Sequence, residues 1–379
     1  MAKRVIVLGA GRVGRVIARD LLEGQGLEVT VADARAQHLW SLAERHGFKT
    51  ICEDLSVPAN VRRIAADFDL VVGALPGSIG FQTMDAVIAV KKPYVDISFM
   101  AEDPRILGGA AKEAGVAVVY DIGVAPGLSN ILVAQGAVEL APAKQARYLV
   151  GGLPVLRRLP WEYEAPFSPS DVIEEYTRPA RFKMGGKIRV RPALSDIETF
   201  DIPGIGTLDG FLTDGLRSLL DTIDCPDMEE KTLRYPGHAE RIKLLRDSGF
   251  FDEKFVNVGG VEVKVRDFTF GILEPLWRQG DGSEEFTVLE VSVIGGGKKK
   301  ERRITWRLLD RTNKARGETS MARTTGFPAA ITARRLLDGS LKLEPGVHPP
   351  ETLVSNQGFV KKLFEDLASH GVVITREDG

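Results

Sequence analysis

Lys3-Arg4-Val5-Ile6-Val7-Leu8-Gly9-Ala10-Gly11-Arg12-Val13-Gly14 is the stretch on which the reading of the fold turns. Val5 to Leu8 is a short apolar, β-branched run, as expected of a strand buried on both faces of a parallel sheet. It runs into Gly9-x-Gly11-x-x-Gly14, after which Arg15 to Glu23 reads as a helix with Val16, Ile17, Leu21 and Leu22 on one side. Gly9 suits the tight turn, Gly11 the close approach of a pyrophosphate, and Gly14 the packing of helix on strand. The helix N-terminus would offer its free N–H groups to the phosphates, beside Arg12 and Val13. A second strand, Glu28 to Asp33, ends in an acid at about the spacing expected of the carboxylate that holds the ribose hydroxyls. The pattern therefore predicts a dinucleotide site. Asp33 argues for NAD, because a carboxylate there repels a 2′-phosphate, while Arg35 leaves room for NADP.

The pattern continues outward as alternating strands and helices, which predicts an α/β fold with a doubly wound parallel sheet of the Rossmann type. The strands expected are Phe48–Glu53, Phe68–Gly77, Pro93–Ser98 and Val116–Asp121. Ligands of such sheets bind outside the carboxyl ends of the strands. That rule makes Leu75, Pro76 and Asp96 candidate cofactor neighbours, and Asp121 a candidate catalytic acid. Asp121-Ile122-Gly123-Val124-Ala125-Pro126-Gly127 then breaks the sheet, with Gly123 and Pro126 placed near the cofactor. The expected domains are a dinucleotide-binding domain at 1–122, a substrate-binding and dimerisation domain at 123–322, and helices at 323–379 that return to the first domain.

From Arg147 the texture changes to alternating strands at Lys187–Arg191, Glu262–Arg266, Glu285–Val293 and Arg303–Leu308, read as one largely antiparallel sheet in a mixed α/β substrate domain. Its second face is an expected homodimer interface. Three stretches carry more polar and aromatic residues than a β core requires. Glu174, Glu175 and Tyr176 end the first, Arg217 stands in the second, and Arg234, Tyr235 and His238 surround a Pro-Gly turn in the third. Histidine titrates near neutrality and suits a general base, and arginine suits a two-pronged grip on a carboxylate. His38, His46, His348 and His370 lie among surface-type residues and call for no role.

With 50 basic and 52 acidic residues among 379, the net charge of −2 points away from nucleic acid and anionic membranes. Lys298-Lys299-Lys300 reads as a solvated hairpin tip. No apolar run approaches a membrane span, and a strand that starts almost at once leaves no room for a signal peptide. Two cysteines, Cys52 and Cys225, with no metal-ligand cluster fit a reducing cytoplasm and no metal.

Five stretches together resemble the saccharopine dehydrogenase-like family: Val5–Gly11, Asp121–Gly127, Gly151-Gly152-Leu153-Pro154, Glu174-Glu175-Tyr176-Thr177-Arg178-Pro179-Ala180 and Leu233-Arg234-Tyr235-Pro236-Gly237-His238. The last two are most similar to its lysine-oxidising branch. That resemblance implies oxidation of the ε-amino group of L-lysine by NAD, giving ammonia and allysine, which cyclises to piperideine-6-carboxylate. It also implies a homodimer or homotetramer. Phe99 and Ala125 stand where the fungal saccharopine reductases tend to carry tyrosine and aspartate. The chemistry asks for a base, an acid facing the cationic iminium, and partners for the α-carboxylate and α-ammonium. His238 with Tyr235, Asp121, Arg217 or Arg234, and Glu174 or Glu175 respectively are the candidates, with Gly152 and Tyr176 lining the substrate. The rival readings are a saccharopine or carboxynorspermidine-type reductase using NADPH, and a non-catalytic protein that senses the dinucleotide.

Overall fold

The computed structural model describes residues 2–24, 26–280, 282–296 and 301–379. The chain divides into two compact units, one of residues 1–135 with 322–373, the other of residues 136–321 with 374–379. Lys298-Lys299-Lys300 lie outside the described residues.

The first unit is built on a seven-stranded parallel sheet. Its strands are β1 (Lys3–Leu8), β2 (Leu27–Asp33), β3 (Lys49–Cys52), β4 (Leu70–Gly73), β5 (Tyr94–Asp96) and β6 (Ala117–Val119), in the spatial order 3-2-1-4-5-6. That order is the doubly wound one, with its switch point between β1 and β4. Gly346–His348 adds a further parallel strand beyond β6 that the patterning did not foretell. It is three residues long, too short for a period to show. Val5 to Leu8 are fully buried, as a central strand covered on both faces requires.

Helix α1 (Arg12–Glu23) follows the glycine turn and buries Val16, Ile17 and Leu21. It also buries Asp20, which receives the Arg334 guanidinium and lies 2.5 Å from Nε2 of His370. His370 was expected to have no role. Here its Nδ1 faces the Asp366 carbonyl at 2.6 Å, its ring lies 4.4 Å from that of Phe327, and Arg323 donates to its backbone carbonyl. The Asp20 hydrogen bond outweighs partial burial and raises the imidazole pKa above its ordinary value.

The second unit carries a nine-stranded sheet. Its strands are β7 (Ala143–Pro154), β8 (Ala180–Met184), β9 (Lys187–Arg191), β10 (Ser195–Ile202), β11 (Gly206–Leu212), β12 (Asp227–Arg234), and further on the pair Glu285–Gly295 and Arg302–Arg311. All neighbours run antiparallel except β7 and β12, which are parallel. Ile374–Asp378, expected to return with the preceding helices to the first unit, instead pairs with Ile304–Leu308 here. Val261–Lys264 leaves the sheet it was assigned to and forms a separate hairpin with Phe255–Val258, because the Gly259-Gly260 turn lets the adjacent segments pair locally. Along Glu285–Gly295 the residues Glu285 to Leu289 are buried on both faces, while Glu290, Ser292 and Ile294 are half-buried. No helix among the described residues is long and apolar enough to cross a membrane.

The raised pKa of His370 fixes the sign of a pH effect. The protonated ring is favoured by folding, so its contribution is fully present below the ordinary imidazole pKa and is lost as pH rises through the higher folded value. His370→Gln is expected to cost about 1.5 kcal/mol at pH 6 and much less at alkaline pH. Urea unfolding of both proteins at the two pH values checks this.

Candidate functional site

The turn after β1 shows why three glycines stand there. Gly9 has φ +101°, and a Cβ on it would lie 2.3 Å from the Ala74 carbonyl oxygen at the end of β4. A Cβ on Gly14 would lie 2.0 Å from the Gly9 carbonyl oxygen. A Cβ on Gly11 would meet nothing within 4 Å, so that face of the turn is open beside the first N–H groups of α1. A close-packed floor with an open middle glycine at a helix N-terminus fits the pyrophosphate of a dinucleotide. Arg12 and Val13 occupy the first turn of α1, half-buried. Leu75 and Pro76 follow β4, with Leu75 Cδ2 close to Gly9 and Pro76 capping the helix Gly77–Ala89.

Asp33, at the end of β2, is buried and spoken for. Oδ2 accepts the Ala10 N–H at 2.9 Å, Oδ1 accepts the Arg35 N–H at 3.0 Å, and the exposed Arg35 guanidinium grips both oxygens at 2.9 and 3.0 Å. Burial raises the carboxyl's pKa, but these hydrogen bonds outweigh it and leave it below the ordinary value. The carboxylate is thus charged and fixed where a ribose would be read.

Asp96 and Asp121 stand at the ends of β5 and β6 and are both buried. Asp96 accepts from Tyr94 Oη at 2.8 Å and from Ser98 Oγ and N–H at 3.0 Å. Burial pushes its pKa up to about 7 against those bonds, and the charge of Asp121 adds to the rise. Its polar contacts thus hold the end of its own strand. Asp121 takes a left-handed φ of +53°. Gly123 donates to the Pro126 carbonyl at 3.0 Å, and a Cβ on Gly127 would meet the Gly123 oxygen at 2.0 Å. Gly123 and Pro126 therefore close a tight loop that leads into the helix Leu128–Glu139.

In the second unit the sequence-predicted residues gather around a buried arginine. Arg234, at the end of β12, donates to Glu175 Oε2 at 2.7 Å, to Tyr176 Oη at 3.2 Å, to Tyr163 Oη at 3.4 Å and to its neighbour's carbonyl at 2.9 Å. Its charge lies 4.6 Å from the centre of the Tyr163 ring. Burial disfavours the guanidinium, but Tyr163, Tyr176 and Glu175 outweigh it and raise its pKa further. Burial also raises the Glu175 carboxyl, with Arg234 opposing, and pushes Tyr176 up to about 12.

His238 is completely buried against this web. Nδ1 lies 2.9 Å from the Trp161 carbonyl, which can only accept, so that nitrogen carries the proton. Nε2, 2.9 Å from Tyr176 Oη, then accepts. Burial first, and the Arg234 charge second, lower its pKa to about 3. The ring, expected to act as the general base, has both nitrogens engaged and no exposure in this arrangement. It locks Tyr176, and through it Arg234. Tyr235, expected to orient that base, donates to the Pro154 carbonyl at 2.8 Å and lies under the Arg157 guanidinium. The Pro-Gly turn sends the two side chains to different partners.

Glu174 pairs with Arg266 and lies 3.7 Å from Arg178. Arg217, buried with φ +52°, is close enough to Arg178 that its charge, after burial, lowers the pKa of that guanidinium. A Cβ on Gly152, expected to line the substrate, would meet Met321 Cε at 2.4 Å. Among the described residues no cluster of metal-ligating side chains occurs.

Sequence reasoning missed Glu230. It accepts from Thr213 Oγ1 and, at 3.1 Å, from Thr232 Oγ1, and burial pushes its pKa up to about 7. The signal was present, since Glu230, Thr232 and Arg234 alternate along one strand and must share a face. Tyr163 beside the His238 ring, Trp277 beside Tyr176, and Trp161, whose ring packs on Trp277, had no such signal.

Residues 5–119 match the model of the saccharopine dehydrogenase NADP binding domain, and residues 123–372 match that of the saccharopine dehydrogenase C-terminal domain. The chain belongs to the saccharopine dehydrogenase family. It is an NAD(P)-dependent oxidoreductase of that family. It is 24% identical to the saccharopine dehydrogenase (NADP+, L-glutamate-forming) of Saccharomyces cerevisiae, over 96% of this chain and 97% of that protein. It is also 24% identical to the mitochondrial alpha-aminoadipic semialdehyde synthase of Bos taurus, over 67% of this chain but only 28% of that longer protein. The solved apo structure of the yeast enzyme shares the fold, with a TM-score of 0.82 at 21% identity over the whole of both chains. A homospermidine synthase of Legionella pneumophila solved with NAD has a TM-score of 0.69 at 12% identity, over all of this chain and 91% of that one.

The two ends of the glycine motif should separate binding from folding. Gly11→Ala adds a Cβ into open space, so unfolding should be unchanged while dinucleotide affinity falls tenfold or more. Gly14→Ala drives a Cβ into the Gly9 carbonyl and should cost several kcal/mol of stability. Calorimetric titration beside thermal unfolding reads both. His238 should stay neutral in an NMR titration down to pH 5. Because its folded pKa lies below 6.5, the stability it contributes is present above that pH and falls by about 1.4 kcal/mol per pH unit below it.

Proposed function

We propose that the protein moves hydride between a nicotinamide and the carbon of a C–N bond in an amino-acid substrate of the saccharopine type, a secondary amine. The observation that carries this reading is the match of both family domains along 5–119 and 123–372. The yeast relative aligned over nearly its whole length supports it.

In the oxidative direction the amine loses its proton, its carbon gives hydride to the oxidised nicotinamide, and water adds to the resulting iminium before the second amine leaves. Within the proposal Asp121 is the carboxylate that stabilises the iminium. Arg217 or Arg234 takes a substrate carboxylate. Gly9, Gly11 and Gly14 receive the pyrophosphate, and Asp33 the ribose hydroxyls. The carboxylate of Asp33 favours NAD, and Arg35 beside it supplies a cation for a 2′-phosphate, as the NADP in the yeast relative's name invites.

A second reading, lysine 6-dehydrogenase, takes the primary ε-amine of L-lysine as substrate. Phe99 and Ala125, the departures from the reductase pattern, favour it, together with the Glu174–Ala180 and Leu233–His238 stretches. Absorbance at the reduced-nicotinamide band decides between the two. Growth of signal with saccharopine, and none with L-lysine, is the expected outcome, with NAD and NADP run in parallel. Signal with L-lysine and equimolar ammonia would establish the second reading instead. Dinucleotide binding with silence toward every amine would leave a sensor.

A further inference from the structure

The glycine turn after β1 is held from outside by the end of β2 and by the helix that follows it, Ala36–His46. Gly9 N–H donates to the Ala32 carbonyl at 2.8 Å, and Ala10 N–H donates to Asp33 Oδ2 at 2.9 Å. The Ala10 carbonyl lies 2.6 Å from Nε2 of His38. A carbonyl can only accept, so that nitrogen carries a proton and donates it. His38 was expected to need no role. It stands half-buried in the first turn of its helix, beside Leu39, which with Leu42 is the buried side of that helix. Residues 33 to 38 thus grip both the N–H and the C=O of Ala10.

Peptide geometry says what the histidine fixes. The Ala10–Gly11 peptide is trans, and a trans peptide points its C=O and its N–H in opposite directions. With the carbonyl turned to His38, the Gly11 N–H is turned away from it. The next peptide is fixed by α1 itself, because the Gly11 carbonyl accepts the Arg15 N–H at 3.0 Å. The peptide before Gly11 has no such tie within α1. Glycine lets a peptide turn over more readily than any other residue, since no Cβ opposes the change of φ. A Cβ on Gly11 would meet nothing within 4 Å, so packing at this residue does not oppose it either. The hydrogen bond from His38 is what selects one orientation. Among the described residues the Gly11 N–H finds no acceptor in the chain.

We propose that His38 is a positioning residue for the dinucleotide: by holding the Ala10 carbonyl it keeps the Gly11 N–H presented as a donor to the pyrophosphate. The imidazole acts through the peptide and not by contact with the phosphate. Released from His38, the peptide can turn its carbonyl toward the ligand, which loses a donor and sets an oxygen lone pair against an anion. Arg35 and Asp33, from the same segment, face the ribose, so one short stretch of chain sets both the sugar and the phosphate contacts. The inference rests on dinucleotide binding and is independent of the amine substrate.

Calorimetric titration of the full chain with NAD and with NADP tests it. Against whichever dinucleotide the wild type binds, His38→Ala should be weaker by about tenfold. His38→Phe keeps a ring of similar size without the donor and should be as weak as His38→Ala. His38→Gln can donate its side-chain amide to the same carbonyl and should recover affinity to within about threefold of wild type. A double-mutant cycle with Gly11→Ala adds an independent reading. If both residues act on one peptide, the double variant should bind about as weakly as Gly11→Ala alone, whereas separate contacts would add to about a hundredfold loss. Wild-type affinity in His38→Ala, rescue by His38→Phe, no recovery in His38→Gln, or additivity in the cycle would overturn the proposal while leaving the dinucleotide site in place. A wild type that binds neither dinucleotide would overturn the cofactor reading and the proposal together.

Discussion

The first unit depends on two approaches of backbone to backbone that tolerate no side chain. The Ala74 carbonyl closes on Gly9, and the Gly9 carbonyl closes on Gly14, at distances where a Cβ would overlap an oxygen. These contacts bring the end of β4 against the turn after β1 and set the start of α1 over it. The switch point of the sheet and the anion-binding helix end are thereby made by the same three residues. Asp33 completes the arrangement, because its hydrogen bond from Ala10 ties the end of β2 to the same turn.

The second unit is organised by a different constraint, the burial of a charge. A guanidinium out of water must be paired and hydrogen-bonded, and Arg234 recruits Glu175, Tyr163 and Tyr176 to meet that demand. Tyr176 in turn needs an acceptor for its own proton, which His238 supplies, and His238 needs one for Nδ1, which the Trp161 carbonyl supplies. The chain of donors and acceptors has one consistent direction from the cation to a backbone carbonyl. Low local dielectric strengthens each link and makes each loss costly. The histidine singled out in the sequence closes this chain of hydrogen bonds, kept neutral by burial and by the cation it helps to hold.

Carboxyls show the same division. Asp33 stays ionised because its donors outweigh its burial, while Asp96 and Glu230 are carried up to about 7 because burial outweighs theirs. Residue type alone did not separate these cases. What separates them is the count of donors against the loss of water, and that is a property of the packed unit.

By itself the sequence determined the parallel sheet and its cofactor turn. The signals there are local: a buried strand, three glycines with fixed tasks, and an acid at a set spacing along the chain. It also carried the alternation of the second sheet, though not its one parallel pair or its closing strand, since partners far apart in the chain leave no mark on the period. Tertiary structure alone decided the partners of His238, Tyr235, Gly152 and His370. Whether an imidazole is a base or a scaffold, or a glycine a ligand contact or a packing site, depends on what lies within a few ångströms. Here those neighbours, Tyr176, Trp161, Met321 and Asp20, stand tens to hundreds of residues away in the chain.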